Sequence, residues 1–428
     1  MRVPDRGPEA HTRPVARRAP FYAFLAAGAV SLVGNNITMV AVPWFVLVTT
    51  GSATKTGLVG FFTALPAVIS GLFGGTLVDR VGHRRMSIVA DLASGATVVL
   101  IPLLHNTVGL RFWQMLLIVF ASALLDVPGN TARYALLPDV SAAAGVSLER
   151  ANAAQQMIHR GGMLVGPAIA GVSIAWLGAS NVLYIDAATF VFSAGLFFLA
   201  VPAPRPAPGA PEAAGESYLS QLKAGLRYLR EDRLIRAIVI MVSITNFLDA
   251  PVFAVLLPVY ARDTLGAATG LGFMIAAFGA GAVLSALAFG AIGARLPRRL
   301  TFITAFAVAS TPFWVLAASP PYPVAVASLF VGGLVAGSLN PMILTVAQER
   351  IPREMRGRVF GLMMAVAFAA APLGMVLAGY LAETISVTTT LLVIAIAYVV
   401  TTTAQYANPA LREMDRPRRA GPDEATPE

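Results

Sequence analysis

Twelve apolar runs, each long enough to cross a bilayer as a helix, follow one another along this chain with only short charged or Gly/Pro-bearing breaks between them. About 20 residues of helix span a hydrocarbon core, and the runs occupy 21–48, 57–78, 86–104, 112–134, 152–178, 181–202, 236–261, 267–293, 300–318, 322–347, 357–382 and 386–406. A surface that is mostly apolar cannot face water. The composition says the same: 57% of the 428 residues are hydrophobic, 12% are charged, and the mean hydropathy is +0.71. The expected fold class is all-α integral membrane, with twelve transmembrane helices.

Charge placement tests that count. Lys and Arg concentrate on the cytoplasmic side of membrane proteins, so with a cytoplasmic N-terminus they belong in the even-numbered breaks and both tails. Of the 31 lysines and arginines, all but Lys55, Arg111, Arg160 and Arg262 fall there. A missed or invented span in the middle would scramble this split. The net charge of +9 therefore reports topology and needs no nucleic acid to explain it. Both termini are expected in the cytoplasm of a cell with the chain in its inner (plasma) membrane.

Several chemistries are excluded. The chain has no cysteine, so disulfides and thiolate sites are absent. His11, His83, His105 and His159 are scattered, with no metal-ligand spacing. No catalytic constellation is visible, so the chain reads as neither an enzyme nor a cofactor protein. Residues 1–20 are polar and rich in Arg and Pro, unlike a cleavable signal; they and 407–428 read as disordered cytoplasmic tails. The longest break, 203–235, divides a first six-helix bundle (21–202) from a second (236–406). Its later part carries Leu219, Leu222, Leu226 and Leu229 opposite Lys223, Arg227 and Arg230, the pattern of an amphipathic helix at the membrane surface.

The break after the second run reads "GTLVDRVGHRR", residues 75 to 85, and a displacement of 215 residues lays it over "GAIGARLPRRL". Similar punctuation after the second helix of each half indicates an internal duplication, hence two pseudo-symmetric halves. Here the chain resembles the major facilitator superfamily of secondary transporters. Gly75, Asp79, Arg80, Gly82, Arg84 and Arg85 match every fixed position of that family's loop signature. The arginines hold the loop in the cytoplasm, while Asp79 sits at the negative end of its own helix and needs a positive neighbour. The resemblance supplies one at the start of helix eleven, here Arg356 and Arg358. The charges would form a latch across the halves, one-sided because Ala294 stands where a second acid would be.

Run five contains "GGMLVGPAIAG", in which Gly162, Gly166, Pro167 and Gly171 are similar to the core of the family's antiporter motif, with Ala170 replacing a glycine. Small residues on one helix face let a neighbour pack closely, and that neighbour is expected to be run eight. The stretches "YIDAATFVFSA", "ADLASG" and "LERANA" resemble the branch holding macrolide-efflux proteins and the enterobactin exporter. Efflux is what this implies.

In that fold the first, fourth, seventh and tenth helices line the central cavity. Here they carry Asn35 and Asn36, Asp126 and Asn130, Asn246 and Asp249, and Asn340. An acid at mid-bilayer costs about 2.5 to 3.5 kcal/mol on insertion scales, so each needs a reason. Asp126 and Asp249 have no cation within a helical turn, which favours a substrate or proton role. Asp91 is expected to pair with Arg84, Asp186 to bond locally, Arg160 to reach either Asp126 or the cytoplasmic surface, and His159 to pack. The prolines at 128, 251, 341 and 372 supply bending points.

The expected function is export of an amphipathic organic molecule, such as a drug or siderophore-like metabolite, by proton antiport with alternating access. Substrate, protons and the bilayer are the expected partners, and the expected working unit is a monomer. An importer of the same fold, or a sensor or scaffold without transport, shares most of these features.

Overall fold

The computed structural model describes residues 18–202, 218–352 and 355–415; within these, the side chains of 71–77, 79, 80, 218–222, 294, 357 and 358 lie outside the described set. Twelve of its helices are long and apolar enough to cross a membrane, and among the described residues there is no strand. The protein is a multi-pass membrane protein. The first six spans are Ala19–Thr50, Ala53–Val81, His83–Thr107, Phe112–Ala143, Leu148–Leu177 and Ala179–Ala200. The second six are Arg233–Leu265, Ala268–Ile292, Arg298–Ala317, Tyr322–Arg350, Val359–Thr384 and Val387–Ala407.

Local chemistry sets the span ends. Ser52, Ser147, Asp232 and Ser386 accept from backbone N–H groups of the first turn, as N-caps do. Span one stops at Gly51, whose φ of 69° a side-chain-bearing residue would adopt only under strain. Prolines break the second half: spans nine, ten and eleven are each interrupted just before Pro312, Pro341 and Pro372. A proline ring clashes with the carbonyl four residues earlier and removes one helix hydrogen bond. Span seven contains two π-helical turns, Val252–Leu256 and Ala261–Leu265.

Within the first half, span one packs on six and span three on four and six; within the second, span eight packs on ten and span twelve on nine. Two seams join the halves, five against eight and two against eleven. One end of the bundle carries the start of span one and the chain after span twelve, and is called the termini face; the opposite end is the far face. The far face is closed. A Cβ added at Gly379 of span eleven would meet the Ala53 carbonyl at 2.6 Å, and one at Gly171 of span five would meet the Ala268 carbonyl at 2.7 Å. Above these contacts Glu383, at the end of span eleven, accepts from Ser52 Oγ (2.6 Å) and Thr54 N (2.8 Å) at the start of span two. Arg262, at the end of span seven, donates to the Gly51 carbonyl at 3.1 Å. An acid thus meets a helix N-terminus and a base a helix C-terminus, the favourable pairing for both dipoles.

At the termini face each half is closed by its own arginine. Arg84, opening span three, donates to the carbonyls of Val201 (2.5 Å) and Phe198 (2.6 Å) at the end of span six, over the Phe198 ring. Arg299, opening span nine, donates to the Tyr406 carbonyl at 2.8 Å at the end of span twelve, over the Tyr406 ring. Arg299 is 215 residues from Arg84, the displacement at which the two halves echo one another.

One expectation for the connecting segments is corrected. The chain past residue 407 does not leave the bundle at once: Pro409–Asp415 forms a 3₁₀ hook with Leu411 and Met414 buried, and Asp415 accepts from the Arg299 amide. The linker segment forms the expected helix, Tyr218–Glu231, and buries Leu229 beside Ile235, Ile351, Val359 and Met363. Leu226 remains exposed, and Leu219 and Leu222 lie outside the described side chains. Residues 1–17, 203–217 and 416–428 lie outside the described residues.

Candidate functional site

A cavity of about 300 Å³ opens in the termini-face half of the first bundle, between spans one, four and five. Asn35, Asn130, Arg133, Gln155 and His159 give it polar walls, and Phe24 and Leu32 apolar ones. The four polar helix faces expected to share one central site are thereby divided. Asn35, Asp126 and Asn130 come together in the first half, while the second-half residues turn to their own neighbours. Asn246 donates to the Ala367 carbonyl of span eleven at 2.9 Å, Asp249 accepts from the Tyr398 hydroxyl of span twelve at 3.1 Å, and Asn340 is exposed beside the break in span ten. Asn36 is spent on structure. It is buried, bonds the Leu32 carbonyl at 2.8 Å, and packs beneath span five.

Arg133 organises the first-half group. Only 6% exposed, it is paired with Asp91, itself 1% exposed, on span three. It also donates to Ser31 Oγ at 3.2 Å and Asn130 Oδ1 at 3.4 Å, and lies over the Phe197 ring. Asn130 in turn donates to Asp126 at 2.8 Å, with Asn35 beside that carboxylate. A continuous run therefore leads from Asp91 through Arg133 and Asn130 to Asp126. Placing span four's end at residue 134 put Arg133 at the membrane edge; the helix continues to Ala143 and makes it an interior residue. Its position was readable on a helical wheel: seven residues after Asp126 is two turns, and so the same face.

Arg133 corrects two pairings expected from spacing. Asp91 pairs with Arg133 and not with Arg84, whose guanidinium caps span six. Arg160 makes no bond to Asp126 among the described residues; Asn130 fills that place. Asp186, expected to bond locally, also reaches across to span one: it is fully buried and accepts from Thr38 as well as lying 3.3 Å from Thr189 Oγ1.

The glycine motif of span five serves two neighbours. A Cβ at Gly162 would meet Leu32 at 2.6 Å and one at Gly166 would meet Asn36 Cβ at 2.5 Å, both on span one. Gly171, with the backbone at Met163 and Pro167, faces Gly272 and Gly279 of span eight. Gly166 therefore does not face span eight as expected. A turn of helix separates residues that look alike in the sequence.

Of the latch residues, Gly82, Arg84, Arg85 and Arg356 are described; the side chains at Gly75, Asp79, Arg80 and Arg358 lie outside the described set. Gly82 has a φ of 86° and turns span two into span three within one residue. Arg356 donates to the Ile351 carbonyl at 3.1 Å.

Two six-span halves joined by their second, fifth, eighth and eleventh spans, around a polar interior, define a membrane transporter of the major facilitator fold. Solved structures of that fold agree in shape: the nucleoside transporter NupG has a TM-score of 0.76 at 14% identity, covering 93% of this chain and 100% of that one. A bacterial homologue of the human lysosomal transporter Spinster, inward-facing and unoccupied, has a TM-score of 0.75 at 13% identity, covering 96% and 99%. Residues 12–424 match the family described as transmembrane secretion effector, and the chain belongs to it. It is similar to the multidrug efflux pump Tap of Mycobacterium tuberculosis, 35% identical over 406 residues, 94% of this chain and 96% of that protein. Macrolide efflux protein A of Streptococcus pyogenes is 24% identical over 378 residues, 86% of this chain and 90% of that one.

Proposed function

We propose that this protein exports an amphipathic organic molecule in exchange for protons, by alternating access of the first-half cavity and the seam beside it. The observation that carries the reading is the run Asp91–Arg133–Asn130–Asp126 at the cavity wall. One guanidinium stands there among two carboxylates. With both acids ionised the group holds an uncompensated negative charge in a low-dielectric interior, which is costly. A proton on Asp126 removes that charge, and a cationic substrate placed beside it offsets it. The two compete for the same carboxylate, which is what exchange requires. Asp91 is the acid that Arg133 holds directly.

In this reading the termini face is cytoplasmic, as the arginine distribution favours, and the closed far face places the cavity on the loading side. Rocking of the halves would break the far-face contacts and close the termini face through the Asp79 latch. Proton entry supplies about 2.3 kcal/mol per 100 mV of membrane potential, in addition to the pH difference. The names of the Tap pump and the macrolide efflux protein support drugs and antibiotics as the substrate class. The second-half acid Asp249, capped by Tyr398, is the other candidate for proton coupling.

The test is a drug-susceptibility panel on expression in a sensitive host, with and without a protonophore, followed by flux in proteoliposomes. Asp126→Asn is expected to bind and exchange substrate downhill while losing uphill export. Full gradient-driven export by Asp126→Asn and by Asp249→Asn would remove the assignment. Accumulation in place of exclusion of the solute would make the protein an importer.

A further inference from the structure

The chain end after span twelve creates a second cavity. Where Pro409–Asp415 hooks back against span seven, a crevice of about 320 Å³ is lined by Arg233, Arg236, Ile240, Asn408, Pro409 and Glu413. Its walls are fixed in place. Leu411 and Met414 anchor the hook in the core, and Arg350 ties both sides together, pairing with Asp232 at 2.7 Å and Glu413 at 2.5 Å. Asp232 is further engaged as the N-cap of span seven.

This wiring consumes the acids and leaves the bases over. Glu413 in the crevice wall and Asp232, the neighbour of Arg233 in sequence, are both held by Arg350, whereas Arg233 has no partner among the described residues and Arg236 gives one N–H to the Arg230 carbonyl. Three arginines of this face are by contrast committed: Arg84 and Arg299 to helix ends, Arg298 to Glu349 at 2.5 and 2.9 Å. Arg233 and Arg236, three residues apart, share a face of span seven, and Ile240 continues that face one turn deeper, 47% exposed. The crevice is thus cationic at the depth where the span begins and apolar about 6 Å further into the membrane.

At the start of a membrane span such a crevice lies level with the bilayer headgroups, whose phosphates are the anions at hand. We propose that it is a binding site for one anionic phospholipid, its headgroup phosphate held by Arg233 and Arg236 and an acyl chain running along Ile240. Basic pockets at helix ends recognise anionic headgroups in this way. Binding would hold the hook against span seven and so couple the fold of the chain end to lipid composition.

The experiment compares purified full-length protein in nanodiscs of phosphatidylcholine with and without phosphatidylglycerol. Native mass spectrometry should find one retained phosphatidylglycerol, and the melting temperature should be higher in its presence. Arg233→Gln/Arg236→Gln should weaken that binding roughly thirtyfold, from the usual contribution of two basic residues at an anionic surface, and abolish the difference in melting. Arg111→Gln, at the far face, should leave it intact. Because neither residue touches the first-half cavity, the double variant should melt with the parent in phosphatidylcholine alone, which shows that it is folded. The proposal is overturned if the double variant retains the lipid, or if inorganic phosphate in phosphatidylcholine reproduces the full stabilisation, which would mark a free-anion site.

Discussion

Removing the Glu383 carboxylate should open the far face. That group is the one acid bridging the halves there among the described residues, and Glu383→Ala deletes two hydrogen bonds, from Ser52 Oγ at 2.6 Å and Thr54 N at 2.8 Å, with a favourable charge at the start of span two. The residue is exposed, so solvent screens the loss, and the two contacts together contribute about 1–2 kcal/mol. In an alternating cycle that shifts the balance between far-face-closed and far-face-open forms by about 5- to 30-fold. The absence of native cysteine makes the measurement clean. Spin labels on cysteines introduced at Val108 and Ile385, exposed loop positions of the two halves at the far face, report the separation by double electron–electron resonance. The Ala variant should raise the long-distance population by that factor. Glu383→Gln keeps an acceptor oxygen and should fall between. An unchanged distance distribution in a folded Glu383→Ala protein would show that the glycine seams alone hold this face and that the carboxylate has no part in gating.

Three further perturbations follow from the contacts. Arg133→Met strands Asp91 without its cation and should cost about 3–5 kcal/mol, seen as a large drop in melting temperature, with much of it recovered in Arg133→Met/Asp91→Leu; a single variant that melts with the parent contradicts the pairing. Gly171→Val drives side-chain atoms into the Ala268 backbone carbonyl and should leave proteoliposomes proton-leaky, whereas Gly166→Val meets the Asn36 side chain and should disturb the cavity, and Ala175→Val, on an exposed face, should be mild. Internal pH under an imposed gradient, read beside substrate flux, separates these three outcomes. Asp79→Asn should insert normally yet transport poorly, while Ala294→Asp changes little; normal flux in the Asn variant removes the latch.

What the residues disclosed in advance was governed by range. Span number, the two halves and the family all follow from features that repeat or extend over many residues, and one proline or glycine misread cannot disturb them. Side-chain partnerships are different, because they depend on which face of a helix meets which neighbour. Asp91 and Arg84 are seven apart on one helix and make an obvious pair, but Arg133 on span four lies closer in space and leaves Arg84 for a helix end. Asn35 and Asn36 are adjacent in sequence and about 100° apart around the helix, so one lines the cavity and the other packs under Gly166. The hook at Pro409–Asp415 escaped for another reason: a seven-residue 3₁₀ turn has too few apolar positions to show a period, and only burial of Leu411 and Met414 reveals it.

The paired capping by Arg84 and Arg299 bears on how the molecule could be divided. Each arginine binds the last turn of its own half's sixth helix, so among the described residues each ring of six is fastened from within. Two polypeptides, one ending after Val201 and one beginning before Tyr218, contain each of these bonds, and the glycine seams of spans two, five, eight and eleven remain to bring them together in the bilayer.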